Sequence, residues 1–416
     1  MSWDAPMISK IAWRNILRNK RRSLILTVSI MVGVFALVLT RGFVRGFMEQ
    51  MLTNQIGADV GYMQVHKAGY QADPSIDNSI RSPRLIRNIL DHDSTMVKYS
   101  ERLRTYGLAC SAYNSAGVAI VGIIPNEEMK VTTISQYMVK GRYLNNEPNQ
   151  IIISTAIAEK LKAGIGDKIV IMASQLDGNV GSEGCRISGI YETSNSGFDQ
   201  SHVYVTIATM QQMLNVHDMV SEFVINPIRR DQIPSVLSGL RREIQAIPGS
   251  SDKFETMSYE EMLPLFVMQL GFYDQIFYII YGIIAVALIF GIIDVMLMAV
   301  LERTHEFGVA MAVGMSNRKI FRMILVEAFF LGIAGTIVGL AIAYFICIDL
   351  SRNGWDLSIF AESLRSWGSG SKIFPALETS DFIKAVVIIP LVTVIGAVYP
   401  AVKAIRLHPV EAIRSI

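Results

Sequence analysis

The chain has 416 residues and a formal net charge of +2; 51% of the residues are hydrophobic and only 18% are charged. Soluble globular proteins carry about 25% charged residues, so this composition excludes a soluble protein of that length and indicates a membrane protein.

Four stretches are long and apolar enough to cross a bilayer, which takes about 20 residues. They predict membrane spans at 24–42, 272–301, 320–350 and 382–402. The first stretch could be a secretory signal peptide. Its apolar run is longer than the roughly 7 to 15 residues of such a peptide, and no A-x-A-like cleavage site follows, so we interpret it as a retained anchor.

The distribution of Lys and Arg predicts the orientation of these spans. Lys and Arg are concentrated at 1–23, 302–319 and 403–416, which are therefore predicted to be cytoplasmic. The loop 351–381 has few cations spread among several acids, so it is predicted to face outward together with the long segment 43–271. Both termini are expected inside.

The segment 1–23 has the pattern of an amphipathic helix. In "MISKIAWRNILRNKRRSL" apolar residues oppose basic ones at helical spacing, and Trp13 is a residue typical of the headgroup region. A helix lying in the anionic interface is favoured over a plain basic flank, and membrane lipid is an expected partner.

The outward segment 43–271 is long enough to bury its own core. Its β-rich runs predict strands at 60–67, 117–124, 150–154, 168–174, 185–192, 202–207 and 222–227. A helix is predicted to start with Ser154 or Thr155 as N-cap and to close on Gly164. The fold class is thus an α-helical membrane protein with four transmembrane helices and a large mixed α/β extracytoplasmic domain between the first and second. That domain is expected to have two lobes, with an inserted lobe at about 141–217.

Cys110 and Cys185 both lie in the outward segment, where oxidation is possible. Buried free thiols and a disulfide both remain open, with free thiols favoured. Cys347 lies near the outer end of the third span and is expected to be a membrane-facing apolar residue.

The chain has no recognisable catalytic, nucleotide-binding or metal-binding motif, since G-x-x-x-x-G-K-[ST], H-E-x-x-H and G-x-S-x-G do not occur. We therefore expect a protein that is not an enzyme, that holds no cofactor or metal of its own, and that binds no nucleic acid.

Two acids lie within predicted spans, Asp294 and Glu327. A carboxylate at this depth costs a few kcal/mol unless it is paired, protonated or faces other helices. Each could simply reach the interface or a water pocket, or could couple helices. In the third span, Gly332, Gly335 and Gly339 form a small face that predicts close helix packing.

The stretch "LERTHEFGVAMAVGMSNRKIFRMIL" is charged and amphipathic although it lies between two spans. It predicts a short helix that ends at Gly314 and offers a surface to a cytoplasmic partner. The residues expected to form this surface or load the helix start are Glu302, Arg303, Glu306, Phe307, Ala310, Met311 and Gly314.

This stretch resembles the E-R-T-x-E-x-G-x-x-x-A-x-G-A loop of the FtsX and MacB family of ABC transporter permeases, which includes the lipoprotein-releasing Lol permeases. "IAWRNILRNKRRSLILTVSIMVGV", "VKGRYL", "AIAEKLKAGIGDKI" and "YPAVKAIRLHPVEAIR" are also similar to family segments. Asp294 departs from the family pattern, which has Asn at this place in its MacB-like members.

The resemblance implies a permease in the bacterial inner membrane with its large domain in the periplasm. It also implies a cytoplasmic ABC ATPase dimer as partner, which would use ATP and Mg, and either a second copy or a related permease. In the family, ATP-driven motion passes through the coupling helix and long stalk helices to the outward domains. Release of lipoproteins or transport of another envelope substrate is the preferred function. Efflux of a drug or peptide and activation of a cell-wall hydrolase are the alternatives.

Overall fold

A computed structural model describes residues 5–92, 97–247 and 254–406. The end of the predicted terminal motif, after Arg406, lies outside these residues. The helices are α1 (Ala5–Arg18), α2 (Lys20–Gln55), α3 (Arg84–His92), α4 (Pro125–Val131), α5 (Thr155–Leu161), α6 (Ser196–Asp199), α7 (Ile207–Leu214), α8 (Ile233–Gln245), α9 (Tyr259–Met262), α10 (Pro264–Glu302), α11 (Thr304–Ala312), α12 (Asn317–Asn353), α13 (Ala361–Ser366) and α14 (Thr379–Ile405).

The strands are β1 (Met63–Lys67), β2 (Val97–Cys110), β3 (Ser115–Ile123), β4 (Met138–Gly141), β5 (Gln150–Ser154), β6 (Lys168–Ser174), β7 (Val180–Tyr191), β8 (His202–Thr206), β9 (Glu222–Pro227), β10 (Phe254–Ser258), β11 (Trp355–Asp356) and β12 (Lys372–Ile373). The chain forms two compact units. The membrane unit is Met1–Met48, Leu270–Asp356 and Lys372–Ile416, and the mixed unit is Glu49–Gln269 and Leu357–Ser371.

Among the described residues, four helices are long and apolar enough to cross a membrane: α2 with its π-helical extension Ile56–Val60, α10, α12 and α14. This confirms the prediction of four transmembrane helices. The spans predicted at 24–42 and 272–301 lie inside much longer helices, since α2 has 36 residues and α10 has 39. At 1.5 Å per residue each is about 55 Å long, well beyond the roughly 30 Å hydrocarbon core.

The core of the membrane unit joins residues from α2, α10, α12 and α14. Ile30, Ile292, Ala328 and Ala397 are fully buried in it. By contrast, much of α10 has its large apolar side chains exposed, among them Ile279, Ile283, Val286 and Phe290. Apolar side chains on the surface are expected where lipid, rather than water, is the solvent.

Six strands of the mixed unit close into a barrel. β2 pairs with β3, β3 with β8, β8 with β5, β5 with β7, β7 with β6, and β6 returns to β2. Alternating side chains such as Ile169, Ile171 and Ala173 of β6 point into its core, which also buries Ile153 and Val205. Because the ring of hydrogen bonds is complete, none of these six strands is left as a free edge of the ring.

The first half of β2 extends the same sheet away from the barrel, in the order β10-β1-β9-β2. Here a second cluster, which includes Val65, Phe223, Leu90 and Leu240, packs the sheet against α3 and α8. The mixed α/β class is thereby confirmed, while the division into two lobes stays a prediction.

The predicted helix after β5 forms with Ser154 as its N-cap, because the Ser154 hydroxyl accepts a hydrogen bond from the Ile157 N–H. Its predicted end at Gly164 is wrong. The helix ends at Leu161, since Lys162 adopts the left-handed conformation with φ of 52° and turns the chain two residues before Gly164.

Residues 357–371, the middle of the loop between α12 and α14, belong to the mixed unit. Arg365 of α13 forms ion pairs with Glu192 and with the buried Asp199. The Asn54 side-chain amide donates to the Gly368 carbonyl at 3.0 Å. The loop is therefore folded as part of the mixed unit and is not a free connection between α12 and α14.

Candidate functional site

The predicted coupling segment forms the short helix α11, and Gly314 terminates the helix as predicted. The Gly314 N–H donates to the Met311 carbonyl at 3.0 Å, and the Met315 N–H donates to the Ala310 carbonyl at 2.9 Å. This is the Schellman pattern of a helix C-terminus. Gly314 has φ of +94°, a conformation that is strained for residues with a side chain.

A chain of ion pairs fastens α11 to two neighbouring helices. The Arg303 guanidinium pairs with Glu327 of α12 through Nη1 and Oε2 at 3.2 Å, and with Glu306 through Nε and Oε2 at 3.2 Å. Arg18 of α1 reaches the same Glu306 carboxylate at 2.5 Å. The end of α1, the start of α11 and the membrane helix α12 are thus joined by one charged network.

The Glu306 carboxylate is the centre of this network. Burial raises its pKa, but the hydrogen bonds from Arg18 and Arg303 outweigh burial and hold its pKa below the usual value. Glu306 therefore remains charged near neutral pH. Glu302, one turn earlier, pairs with Arg22 of α2.

The apolar side of α11 faces the membrane unit. Phe307 is 3% exposed beneath the Arg303 guanidinium, which lies 5.2 Å from its ring, and Met311 packs against the same core. Ala310 is half-buried. Phe307 and Met311 therefore do not offer the free surface that their spacing suggested, and their role in coupling stays a prediction.

The opposite side of α11 is open. His305, Val309 and Ala312 are exposed, and Val313, just after the helix, is 82% exposed. Exposed valines on a short helix between two membrane spans form a surface that a protein partner could cover. The sequence pattern did not indicate this side, because both sides of so short a helix carry apolar residues.

The small residues of α12 lie where helices approach closely. A Cβ atom added to Gly335 would lie 2.8 Å from the Ile30 Cβ of α2, and one added to Gly339 would lie 2.8 Å from the Met31 carbonyl. A Cβ at Gly332 would collide with Thr393 of α14. The three glycines thus provide the contact of α12 with both neighbouring helices.

The two intramembrane acids have different surroundings. Glu327 is buried and paired with Arg303. Asp294 is exposed on α10, and no side chain in the described part of the chain forms an ion pair or hydrogen bond with it. Gly291, one turn earlier, has no atom of another described element within 4 Å of where its Cβ would be, so no neighbouring helix among the described residues packs there.

Comparisons with known proteins show the family to which the chain belongs. Residues 23–242 match the MacB-like periplasmic core domain, and residues 278–409 match the FtsX-like permease C-terminal region. The chain belongs to the MacB/FtsX family of ABC transporter permeases.

The relatives of this permease are named for different functions, and one of them is named as uncharacterized. It is 23% identical to the lipoprotein-releasing system transmembrane protein LolC of Neisseria meningitidis, over 98% of this chain and 100% of that protein. It is 24% identical to the uncharacterized ABC transporter permease YknZ of Bacillus subtilis, over 97% and 98% respectively. With the macrolide export ATP-binding/permease protein MacB of Bdellovibrio bacteriovorus the identity is 24%, over 97% of this chain and only 60% of that protein.

The permease also contains a buried ionic cluster that the sequence analysis missed. Arg102 of β2 is fully buried and pairs with Glu128 at 2.7 Å and Glu222 at 3.1 Å, while Arg104 pairs with Asp59 at 2.5 Å. Charged residues within a strand usually indicate a solvated face, so the pattern of "SERLRTYG" gave no signal of it.

Both cysteines of the mixed unit are free. Cys347 is also free, but it is buried, so the prediction that it faces the membrane is wrong. Cys110 lies opposite Val170 of β6, and Cys185 lies opposite Ile169 on the other side of that strand. Two strand spacings separate the cysteines by about 10 Å, beyond the roughly 7 Å between Cα atoms that a disulfide allows. Burial, with Glu183 nearby, raises the pKa of the Cys185 thiol to about 12.

Proposed function

We propose that this permease transmits ATP-driven motion of a separate cytoplasmic ATPase dimer to its extracytoplasmic domain, with α11 as the contact with the ATPase. ATP and Mg would be used by that partner, and a second copy or a related permease would complete the complex. In this proposal α1, α11 and both termini face the cytoplasm, and the mixed unit faces the periplasm.

The observation that supports this proposal is the attachment of α11 to α12 and to α1. A helix that transmits force from the ATPase must be fixed to the membrane helix that it moves. Arg303 ties α11 to Glu327 inside α12, and Glu306 ties it to Arg18. Because Arg303 and Glu327 are both buried, separating them would leave a charge unpaired, so α11 and α12 are expected to move together. The exposed side with Val309 and Val313 stays available to the partner.

We further propose that the substrate is a lipoprotein or another envelope component. The relative named as part of a lipoprotein-releasing system matches 98% of this chain. Drug or peptide efflux is the second candidate, supported by the relative named for macrolide export and by the MacB-like domain match. Activation of a cell-wall hydrolase remains the third.

The test is to purify the tagged permease from native membranes and to identify the ATPase, any second permease and any lipid-modified protein that accompany it. The complex is then reconstituted, and ATP turnover is measured with a lipoprotein, with a macrolide and with neither. Stimulation and release of the lipoprotein support the proposal. Stimulation by the macrolide alone would favour efflux, and a permease that associates with no ATPase would contradict the mechanism.

A further inference from the structure

A cavity of about 770 Å³ lies where α1 passes into α2, beside the last turns of α10. Its charged lining consists of the four cations Arg18, Lys20, Arg21 and Arg22 and the two carboxylates Asp294 and Glu302. Four positive and two negative charges leave the lining with an excess of two positive charges, which the pairing of Arg18 with Glu306 outside the lining reduces to one. This excess lies at the end of membrane helices.

Two of the cations already have partners within the protein. Arg22 pairs with Glu302, and Arg18 pairs with Glu306. Lys20 and Arg21 are exposed, and neither forms an ion pair with any carboxylate of the described residues. Both side chains line the same cavity at the start of α2, so both can reach one anionic group there.

The remaining wall of the cavity is apolar. Ile25 of α2 and Val295 and Met298 of α10 line it, and Ile25 and Met298 are about half exposed. These side chains belong to membrane-spanning helices, which places hydrocarbon directly next to the cationic part. A soluble anion would contact only the cationic side chains, whereas an amphiphile would contact both the cationic and the apolar side chains of the cavity.

We propose that this cavity binds one anionic phospholipid. Its phosphate accepts hydrogen bonds from Lys20 and Arg21, and one acyl chain lies along Ile25 and Met298. A phosphate group without an attached ammonium matches the positive excess better than a zwitterionic headgroup, whose own cation would meet the remaining arginines. The lipid would bridge α2 and α10 next to Arg18, the residue that holds Glu306 of α11.

The experiment is native mass spectrometry of the full permease in detergent, titrated with dioleoyl phosphatidylglycerol or with dioleoyl phosphatidylcholine. The test variant is Lys20→Gln/Arg21→Gln. The matched control is Lys10→Gln/Arg14→Gln, which removes the same charge from α1 outside the cavity lining. We expect one phosphatidylglycerol to be retained by the unmodified chain and the control, and its affinity to fall about tenfold or more in the test variant.

Three results would overturn the proposal. Equal loss in both variants would indicate diffuse surface charge, and equal retention of phosphatidylcholine would remove the preference for an anionic lipid. Displacement of the lipid by millimolar inorganic phosphate would assign the cations to a soluble anion. Because lipid count is measured without an ATPase, these results are independent of the proposed transport function.

Discussion

Arg303, just before α11, and Glu327, within α12, form an ion pair of 3.2 Å in which both side chains are less than a tenth exposed. Breaking a buried pair by removing one partner costs about 3 to 5 kcal/mol, because the other charge stays buried and unpaired. We expect Glu327→Gln to lower the thermal stability of the purified permease and to abolish substrate stimulation of ATP turnover in the complex.

The double variant Arg303→Met/Glu327→Met is the control for this pair. It removes both charges, so it should be more stable than Glu327→Gln although it lacks the ion pair. Thermal unfolding of Arg303→Met, Glu327→Met and the double variant measures the coupling. Additive losses of stability would mean that Arg303 and Glu327 do not interact energetically.

The glycines of α12 give a second prediction. At Gly335 a side chain would collide with Ile30, so Gly335→Leu should destabilise the membrane unit by about 1 to 3 kcal/mol. Gly282 of α10 has no atom from another helix of the described residues within 4 Å of its Cβ position, so Gly282→Leu should leave stability unchanged or improve it. Thermal unfolding in detergent compares the two, and equal effects would contradict the close packing of α2 on α12.

The sequence predicted elements well where a single physical cause dominates. The β-branched runs at 150–154, 168–174 and 222–227 form strands with those same bounds, and the apolar runs form the membrane helices. The longest strand, β2, was missed because Glu101, Arg102 and Arg104 interrupt its apolar pattern. These charges are tolerated only because partners distant in sequence, such as Glu128 and Glu222, surround them.

In the candidate site, too, the sequence predicted local structure but not contacts between residues that are distant in sequence. Spacing located α11 and its end at Gly314, since helix periodicity and glycine conformation are local properties. The direction in which Phe307 and Met311 point depends on α12 and the rest of the bundle, and they are turned inward. Likewise, Glu327 could be recognised as costly from its position in a span, but its partner Arg303 lies 24 residues earlier in the chain.

The buried Cys185 thiol should be inert. With a pKa of about 12, only about one thiol in 10,000 is ionised at pH 8, and the thiolate is the reactive form. In the folded permease we expect maleimide to leave Cys185 unmodified and to react with it only after denaturation, as read by mass spectrometry. A disulfide between Cys110 and Cys185 found without reductant would contradict the barrel register.

The orientation of the spans can be tested with single cysteines in a chain whose three native cysteines are replaced. Asp177, Asn353 and Asn317 are all exposed, so accessibility within the protein is comparable. An impermeant thiol reagent should label cysteines at 177 and 353 in intact spheroplasts, and should label the one at 317 only after lysis. Labelling at 317 in intact spheroplasts would reverse the predicted topology.

The last prediction separates docking from packing in α11. Val313 is 82% exposed, so Val313→Arg should leave the thermal stability of the permease unchanged. In the complex the same change places a charge in a contact that would otherwise exclude water, so ATPase binding or substrate-stimulated turnover should be lost.

Phe307 is buried, and Phe307→Ala should instead lower thermal stability, with a cost of about 3 to 5 kcal/mol. Val180→Arg, at a valine that is 71% exposed on β7 of the mixed unit, is the matched control and should change neither property. If Val313→Arg supports full substrate-coupled ATP turnover, the open side of α11 is not the surface that meets the ATPase.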